Sequence, residues 1–313
     1  MLAIGVHQHG GPEVLEMVEL PDPEPGTGQV LVRVRAAAVN PTDTYVRNGA
    51  RARAQAKQSP PPYVPGMDVA GVIDAVGPDT STDLSVGDRV MGIVVPFGHH
   101  GAYAEKVALP VGSVARAPAG TSHAEASTLP MNGLTARLAL DFLALDPGQV
   151  LGVTGAAGAL GGYVIELAKA DGLVVVADAS ERDTRLVQEL GADYVVRRGD
   201  GVADRMLAAV PGGVHGMVDG SVQNDALFRA IRDGGGFATV RGFLEEAPRG
   251  IRSHQVWITS YAEEQGKLDT LRRHVEAGEI TLRVAQTLPA AQAAQAHRRL
   301  EAGGVRGRLV LEF

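Results

Sequence analysis

A cluster of glycines between an apolar strand and an amphipathic helix constrains the fold of this chain more than any other feature. Residues 150–162 read Val-Leu-Gly-Val-Thr-Gly-Ala-Ala-Gly-Ala-Leu-Gly-Gly. The first four are short and apolar, as a buried strand is, and Val164, Ile165, Leu167 and Ala168 then recur at helical spacing. Such a turn lets backbone N–H groups approach a pyrophosphate at a helix N-terminus, where the aligned peptide dipoles favour negative charge. Side chains in place of Gly155, Gly158 and Gly161 would hold the phosphate or the neighbouring strand away. A second apolar stretch, residues 173–177, ends at Asp178, twenty residues after Gly158, where an acid could reach an adenosine ribose. A glycine triplet alone also suits a plain strand–helix joint. Here the strand, helix and acid surround it, which predicts a dinucleotide site built from Thr154, Gly155, Ala156, Gly158, Ala159, Leu160, Gly161 and Asp178.

Composition narrows the class. At 313 residues the chain is long enough for two domains with ample core. Lys and Arg number 29 and Asp and Glu 36, a net charge of −7, with no basic run, so no nucleic-acid partner is expected. No apolar stretch reaches the length of a membrane span, and the N-terminus lacks a basic-then-apolar leader, so no membrane association is expected either. Cysteine is absent, which excludes disulfides, thiolate catalysis and cysteine-bound zinc and is compatible with a cytoplasmic address.

The texture of the chain changes near residue 120. Before it, short β-rich runs (30–34, 69–76, 89–95, 102–107) alternate with Pro- and Gly-rich turns, as in a barrel-like β unit. After residue 118, strands at 150–153, 173–177, 194–196, 216–219, 236–240 and 255–259 alternate with helices, which argues a parallel sheet covered on both faces. The tail returns to β character at 281–288 and 308–313. The expected architecture is α/β: a β-barrel domain from residues 1–118 and 266–313, with a doubly wound parallel-sheet domain inserted at 119–265. Residues 51–62, Arg-Ala-Arg-Ala-Gln-Ala-Lys-Gln-Ser-Pro-Pro-Pro, read as a basic loop.

The N-terminal part of the chain contains His7-Gln8-His9-Gly10-Gly11-Pro12-Glu13-Val14-Leu15, Asn40-Pro41-Thr42-Asp43-Thr44-Tyr45-Val46-Arg47-Asn48-Gly49 and Pro65-Gly66-Met67-Asp68-Val69-Ala70-Gly71-Val72. Val86-Gly87-Asp88-Arg89-Val90, Gly101-Ala102-Tyr103-Ala104-Glu105, Leu134-Thr135-Ala136, Glu189-Leu190-Gly191-Ala192-Asp193 and Gly307-Arg308-Leu309-Val310-Leu311 follow in order. In these motifs and their order the chain resembles, from end to end, the zinc-free quinone oxidoreductase (zeta-crystallin-like) group of the medium-chain dehydrogenases/reductases. It implies a GroES-like catalytic domain, a Rossmann domain, a cleft between them, and NAD(P)H-dependent reduction of small-molecule quinones or α,β-unsaturated carbonyls. It also implies a homodimer joined edge to edge through the sheet, with residues 255–259 as the pairing strand.

Zinc-dependent relatives place a Cys at the position of Asn40 and a His–Glu pair at Met67-Asp68, and a structural zinc lobe needs four cysteines. Asp43 and Asp68 do not make up a tetrahedral ligand set, and His99-His100 reads as a solvated loop pair, so no zinc is expected. Cofactor choice is open between NADPH and NADH. Asp178 argues for NADH by repelling a 2′-phosphate. Ser180 and Arg182 match positions where relatives hold that phosphate, while Asp183 replaces a frequent Lys; the lean to NADPH rests on the family. Ser180 also reads as the N-cap of the next helix. By the same resemblance Asn40 and Thr135 contact the nicotinamide, and Gly242 with Phe243 ends a strand near its carboxamide. Tyr45 and Arg47 sit in a loop lining the substrate cleft, and Asp43 orients that loop. Relatives commonly carry a Tyr two residues after Gly49, where this chain has Arg51. A quinone reduced to an oxygen anion needs no placed acid, whereas an enolate carbon does, so the missing Tyr tilts the reading to quinones and reactive enones, with Tyr45 or Tyr63 as replacement donors. Two alternatives stay open: an enoyl-thioester reductase whose basic loop selects an anionic handle, and a noncatalytic NAD(P)H-binding protein.

Overall fold

The computed structural model describes residues 1–50, 60–96, 101–241, 243 and 246–313. Most of the basic loop, with Arg51, together with His99, His100 and Gly242, lies outside the described residues. The chain opens with an antiparallel pair, β1 (Leu2–Gly5) and β2 (Glu16–Glu19). There follow β3 (Gln29–Ala38), α1 (Pro41–Arg47), β4 (Asp68–Val76), β5 (Arg89–Ile93), β6 (Lys106–Pro110), β7 (Val114–Arg116), α2 (His123–Ala126) and α3 (Pro130–Leu143). Strands and helices then alternate: β8 (Val150–Thr154), α4 (Ala159–Ala170), β9 (Val174–Ala179), α5 (Thr184–Glu189), β10 (Tyr194–Arg197) and α6 (Val202–Ala209). β11 (Val214–Asp219), β12 (Ile231–Thr239) and β13 (Arg252–Gln255) complete that run, and the tail carries α7 (Gln265–Glu276), β14 (Val284–Pro289), α8 (Ala293–Glu301) and β15 (Arg308–Glu312).

Two compact units result. The first comprises Met1–Met131, Thr259–Ala277 and Leu282–Phe313. Its main sheet runs β14-β15-β3-β4-β5-β7, with β6 also paired to β3. Val30, Val32 and Val34 of β3 are buried while Arg33 and Arg35 are exposed, the period of two that a one-sided sheet demands. With Val69, Ile73, Val90, Tyr103 and Leu309 they form its core. The second unit comprises Asn132–Ile258 and Gly278–Thr281. Its sheet is parallel throughout, in the order β10-β9-β8-β11-β12-β13. The order runs outward in both directions from the β8–β11 pair, which is the topological switch point where doubly wound sheets take their ligands. Val164, Ile165, Leu167 and Ala168 of α4 are all buried.

The units divide the chain differently from the sequence boundaries at 118 and 266. Residues 119–131 stay with the first unit because α2 packs on β3 and β4. Gly278–Thr281 joins the second unit, where the Thr281 N–H donates to Glu166 at 3.1 Å. Three local expectations also change. Residues 41–47 are helix rather than loop, because Asn40 and Asp43 form a capping box with Pro41 in the first turn. The edge strand is Arg252–Gln255, and residues 258–261 make a 3₁₀ turn instead. Residues 101–103 are turned out of the ladder, their N–H groups donating to the carbonyls of Val64, Gly66 and Pro65.

The aromatic centre of the second unit gives a stability test. Phe237 is fully buried, edge-on to Phe228 at 5.1 Å and Phe243 at 6.0 Å. Phe237→Ala should lower the unfolding free energy by about 3–5 kcal/mol, read as an earlier urea midpoint.

Candidate functional site

At the switch point the backbone turns sharply. Gly155 has φ +67°, and a Cβ there would stand 2.9 Å from the Gly220 carbonyl carbon, so neither a left-handed penalty nor a side chain is tolerated. A Cβ on Gly161 would meet the Gly155 carbonyl oxygen at 2.4 Å, which keeps the first turn of α4 against the loop it follows. Gly158 is the N-cap of α4 with no side-chain cap of its own, and Ala159, Leu160 and Gly161 follow as its first turn. Thr154 and Asp219 are ladder partners at the ends of β8 and β11, and the Thr154 hydroxyl donates to Asp219 Oδ1 at 2.7 Å. Asp219 also accepts the N–H of Ser221 at 3.1 Å and of Asn224 at 2.7 Å, so it straps the loop after β11 to the glycine turn. Sequence reasoning missed Asp219, although an acid ending a strand beside the glycine strand is a readable sign.

Asp178, near the end of β9, is buried, and its Oδ1 accepts the Ala156 N–H at 3.2 Å. Burial pushes its carboxyl up, and the Ala156 N–H and the Arg198 charge pull it back. Arg198 is exposed directly after β10 and escaped the sequence reading. Ser180 does not cap with its side chain: its hydroxyl donates to the buried Asp183 carboxylate. Arg182 is 73% exposed, its Nε 3.9 Å from Asp183. Phe243 is half-buried, its ring against Phe228 and its carbonyl accepting from Gln255, while Thr135 is buried on α3.

The first unit gathers a separate set of polar groups at the head of α1. Asn40 is fully buried; its backbone N–H donates to Asp43 Oδ2 at 2.8 Å and its amide to Asp68 Oδ2 at 2.6 Å. The other Asp68 oxygen accepts the Met131 N–H at 2.7 Å. Tyr103 donates to Asp43 Oδ2 at 3.1 Å. Burial raises Asp43 to about 7, reinforced by the Asp68 charge and opposed by the Asn40 N–H, and burial likewise raises Asp68 to about 6. Arg308, on β15, is the cation that opposes both shifts.

Of the other residues picked from sequence, Arg47 is buried with its guanidinium committed to Glu301, to the Gly10 carbonyl and to His297. Tyr45 is half-buried on α1. Tyr63 is not gathered with Asn40 and Asp43; its ring stacks on His9 at 4.6 Å. His297 was missed, yet it continues the Ala293–Ala296 phase of α8 and so falls on the buried face of that helix. Among the described residues no group of three or more His, Cys, Asp or Glu side chains could hold a metal ion.

Comparison with known proteins adds to this geometry. Residues 26–119 match the alcohol dehydrogenase GroES-like domain and residues 190–311 the zinc-binding dehydrogenase domain. The quinone oxidoreductase of Mus musculus is 31% identical over 335 residues, spanning 99% of this chain and 97% of that protein. The chain belongs to the quinone oxidoreductase family. As such it is an oxidoreductase of the medium-chain dehydrogenase/reductase superfamily. An NAD-dependent alcohol dehydrogenase structure superposes at a TM-score of 0.88 with 31% identity, covering all of both chains. A mycobacterial protein complexed with NADPH superposes at 0.88 with 28% identity, again over all of both chains. Among the described residues no helix is long and apolar enough to cross a membrane.

The Asp43 carboxyl makes stability depend on pH. Its native value lies above the ordinary 3.8, so the folded chain binds more protons than the unfolded one between about 4 and about 7. The contribution is complete below that window and is lost as pH rises through it. His297, held down at about 3 by burial and then by the Arg47 charge, works in the opposite sense, so the quantity to follow is a difference between variants. The unfolding free energy of the native chain minus that of Asp43→Asn should fall by a few kcal/mol between pH 4 and 7, at a slope on the order of 1.4 kcal/mol per pH unit, and be flat above. Urea unfolding at stepped pH checks it.

Proposed function

We propose that the chain is a zinc-independent, NAD(P)H-dependent reductase of quinones or reactive α,β-unsaturated carbonyls, working as a cytoplasmic homodimer by direct hydride transfer. The observation that carries this reading is the similarity to quinone oxidoreductases along the whole chain. In it the GroES-like unit is the catalytic domain and the Rossmann unit the cofactor domain. The glycine turn fits a dinucleotide: its backbone has no room for a Cβ at Gly155 or Gly161, and α4 begins directly behind it. Gly155, Ala156, Gly158, Ala159, Leu160 and Gly161 would hold the pyrophosphate, Asp178 the ribose, and Asn40, Thr135, Gly242 and Phe243 the nicotinamide end. A bound nicotinamide supplies the hydride. The chain's own task is orientation, which an amide tied down like Asn40 performs by holding one geometry. A quinone reduced in this way leaves oxygen anions that water protonates, so no residue need donate. Where a donor is used, Tyr45 on α1 and Tyr63, whose ring stacks on His9, are the candidates. The homodimer reading is supported by β13, which stands at the sheet edge with the exposed Trp257 just beyond it.

The residues do not fit zinc. Where a thiolate would be needed stands Asn40, whose amide donates to Asp68, and both Asp68 oxygens already accept hydrogen bonds. Incubation with a chelator should leave turnover unchanged, and elemental analysis should find substoichiometric zinc in active enzyme. Activity that a chelator abolishes and zinc restores would overturn the reading.

Within the same reading NADH is the preferred reductant. A 2′-phosphate brought to Ser180 would meet a hydroxyl already donating to the buried Asp183 carboxylate, and Asp178, which would hold the ribose, is a second buried acid on the strand before it. Two anions facing a phosphate outweigh the solvated Arg182 and Arg198, since exposed charges are screened and buried ones are not. Initial rates with a naphthoquinone should show kcat/KM higher for NADH, and Asp183→Lys should move the ratio toward NADPH by about tenfold. Faster turnover with NADPH in the native chain would overturn this choice.

A further inference from the structure

One set of buried polar groups is left unused by the proposed hydride chemistry. Arg47 at the end of α1, His297 on α8 and Tyr103 come from distant parts of the first unit and are all buried. Arg47 Nη1 lies 3.1 Å from His297 Nδ1, His297 Nε2 lies 3.2 Å from the Tyr103 hydroxyl, and that hydroxyl lies 3.1 Å from Asp43 Oδ2. An arginine carries only donors and stays charged. His297 Nδ1 must therefore accept, which puts the proton of a neutral imidazole on Nε2. That proton goes to the tyrosine oxygen, and the hydroxyl turns its own hydrogen to Asp43. Each bond dictates the polarity of the next, from a permanent cation to a carboxylate. The other carboxylate oxygen, Oδ1, has no hydrogen-bond partner among the described residues and is buried. A phenylalanine at 103 and an apolar residue at 297 would fill the same space without polar atoms to satisfy, so the polar groups call for a role beyond packing.

We propose that Arg47, His297 and Tyr103 form a one-way hydrogen-bond chain of positioning residues that favours the ionised form of Asp43 and, through it, holds Asn40 in one orientation at the head of α1. The link to turnover rests on the reading of Asn40 as a nicotinamide contact; the effect on Asp43 does not. Among the described residues, charged and hydrogen-bonding groups from several elements set the balance at Asp43. Asp68 on β4 opposes ionisation, Arg308 on β15 and the Tyr103 hydroxyl favour it, and Glu301 on α8 anchors the far end by pairing with Arg47. Burial alone would neutralise the carboxyl, and the native value of about 7 leaves it sensitive to the loss of a single donor.

The test is an infrared titration of the full chain, following the carbonyl band of protonated carboxyls and assigning the Asp43 part by its loss in Asp43→Asn. The native midpoint should stand near 7. Tyr103→Phe should raise it by about one to two pH units, the worth of one hydrogen bond to a charged group. His297→Phe should raise it too, while His297→Gln, whose amide can accept from Arg47 and donate to Tyr103, should leave it in place. The acid limb of kcat with NADH and a naphthoquinone should move in the same order, with KM for the quinone unchanged. An unmoved midpoint in Tyr103→Phe, or equal shifts in the two His297 variants, would overturn the chain. A midpoint that moves while the kcat limb stays would overturn the link to Asn40 alone. Should His297→Phe fail to fold, Tyr103→Phe and His297→Gln decide the matter.

Discussion

A carboxylate taken out of water has to be met by donors, and this fold uses that demand as its fastening device. Asp43 accepts the Asn40 N–H, Asp68 the Met131 N–H, Asp178 the Ala156 N–H, and Asp219 the N–H groups of Ser221 and Asn224. In each case the donor belongs to a segment that changes direction: the entry to α1, the start of α3, the glycine turn, the loop after β11. Desolvating an ion costs several kcal/mol unless such bonds are made, so each turn has one favoured geometry and a penalty for leaving it. The backbone of both candidate sites is thus shaped by acids that need not touch a ligand.

The same acids set what can approach. Beyond the end of β9 the Ser180 hydroxyl has already given its hydrogen to the buried Asp183 carboxylate, while Asp178, on β9 itself, is buried and accepts the Ala156 N–H. On the proposed reading a neutral ribose shares such a place, whereas a doubly charged phosphate finds its partner engaged. Discrimination of this kind comes from a repulsive element as much as from an attractive one. Arg182 and Arg198 are exposed, where solvent screens them.

Much of the fold was legible in the sequence because it depends on periodicity and on glycine. The strand of Val150–Thr154, the turn and the buried phase of Val164, Ile165, Leu167 and Ala168 are local properties, and the parallel sheet follows from the alternation of strands and helices. The differences have equally physical causes. Asn40-Pro41-Thr42-Asp43 carries the capping box that makes α1, but read for its chemistry alone it suggests a loop. Strand character at 255–259 comes from β-branched residues, yet ladder pairing with β12 ends at Gln255. His297 pairs with Tyr103, 194 positions earlier, and no window of sequence holds both. Asp183 stands out in the sequence for its charge, whereas its bond to Ser180 follows from the 3₁₀ turn between them. Local spacing announces elements; the partners of buried polar groups come from tertiary assembly.

On the proposed reading the chain is a reductase without a Lewis acid, and such an enzyme must obtain its rate enhancement from placement, which is where the buried network would have its value. A metal polarises its substrate over a range of approach, whereas direct hydride transfer depends on near-contact geometry and tolerates little misplacement. Asn40 is held at two points, by Asp43 through its backbone and by Asp68 through its amide. Both holds weaken if the carboxylates take up protons, because a charged acceptor binds an N–H more strongly than a neutral one. Burial raises both acids against Arg308, the Asp68 charge raises Asp43 further, and Asp43 stands the higher of the two. A donor from elsewhere in the unit is therefore needed at Asp43 in particular; Tyr103 supplies it, and in the proposed chain His297 of α8 orients that hydroxyl. On this view the C-terminal helix belongs to the site even though none of its residues need meet a substrate.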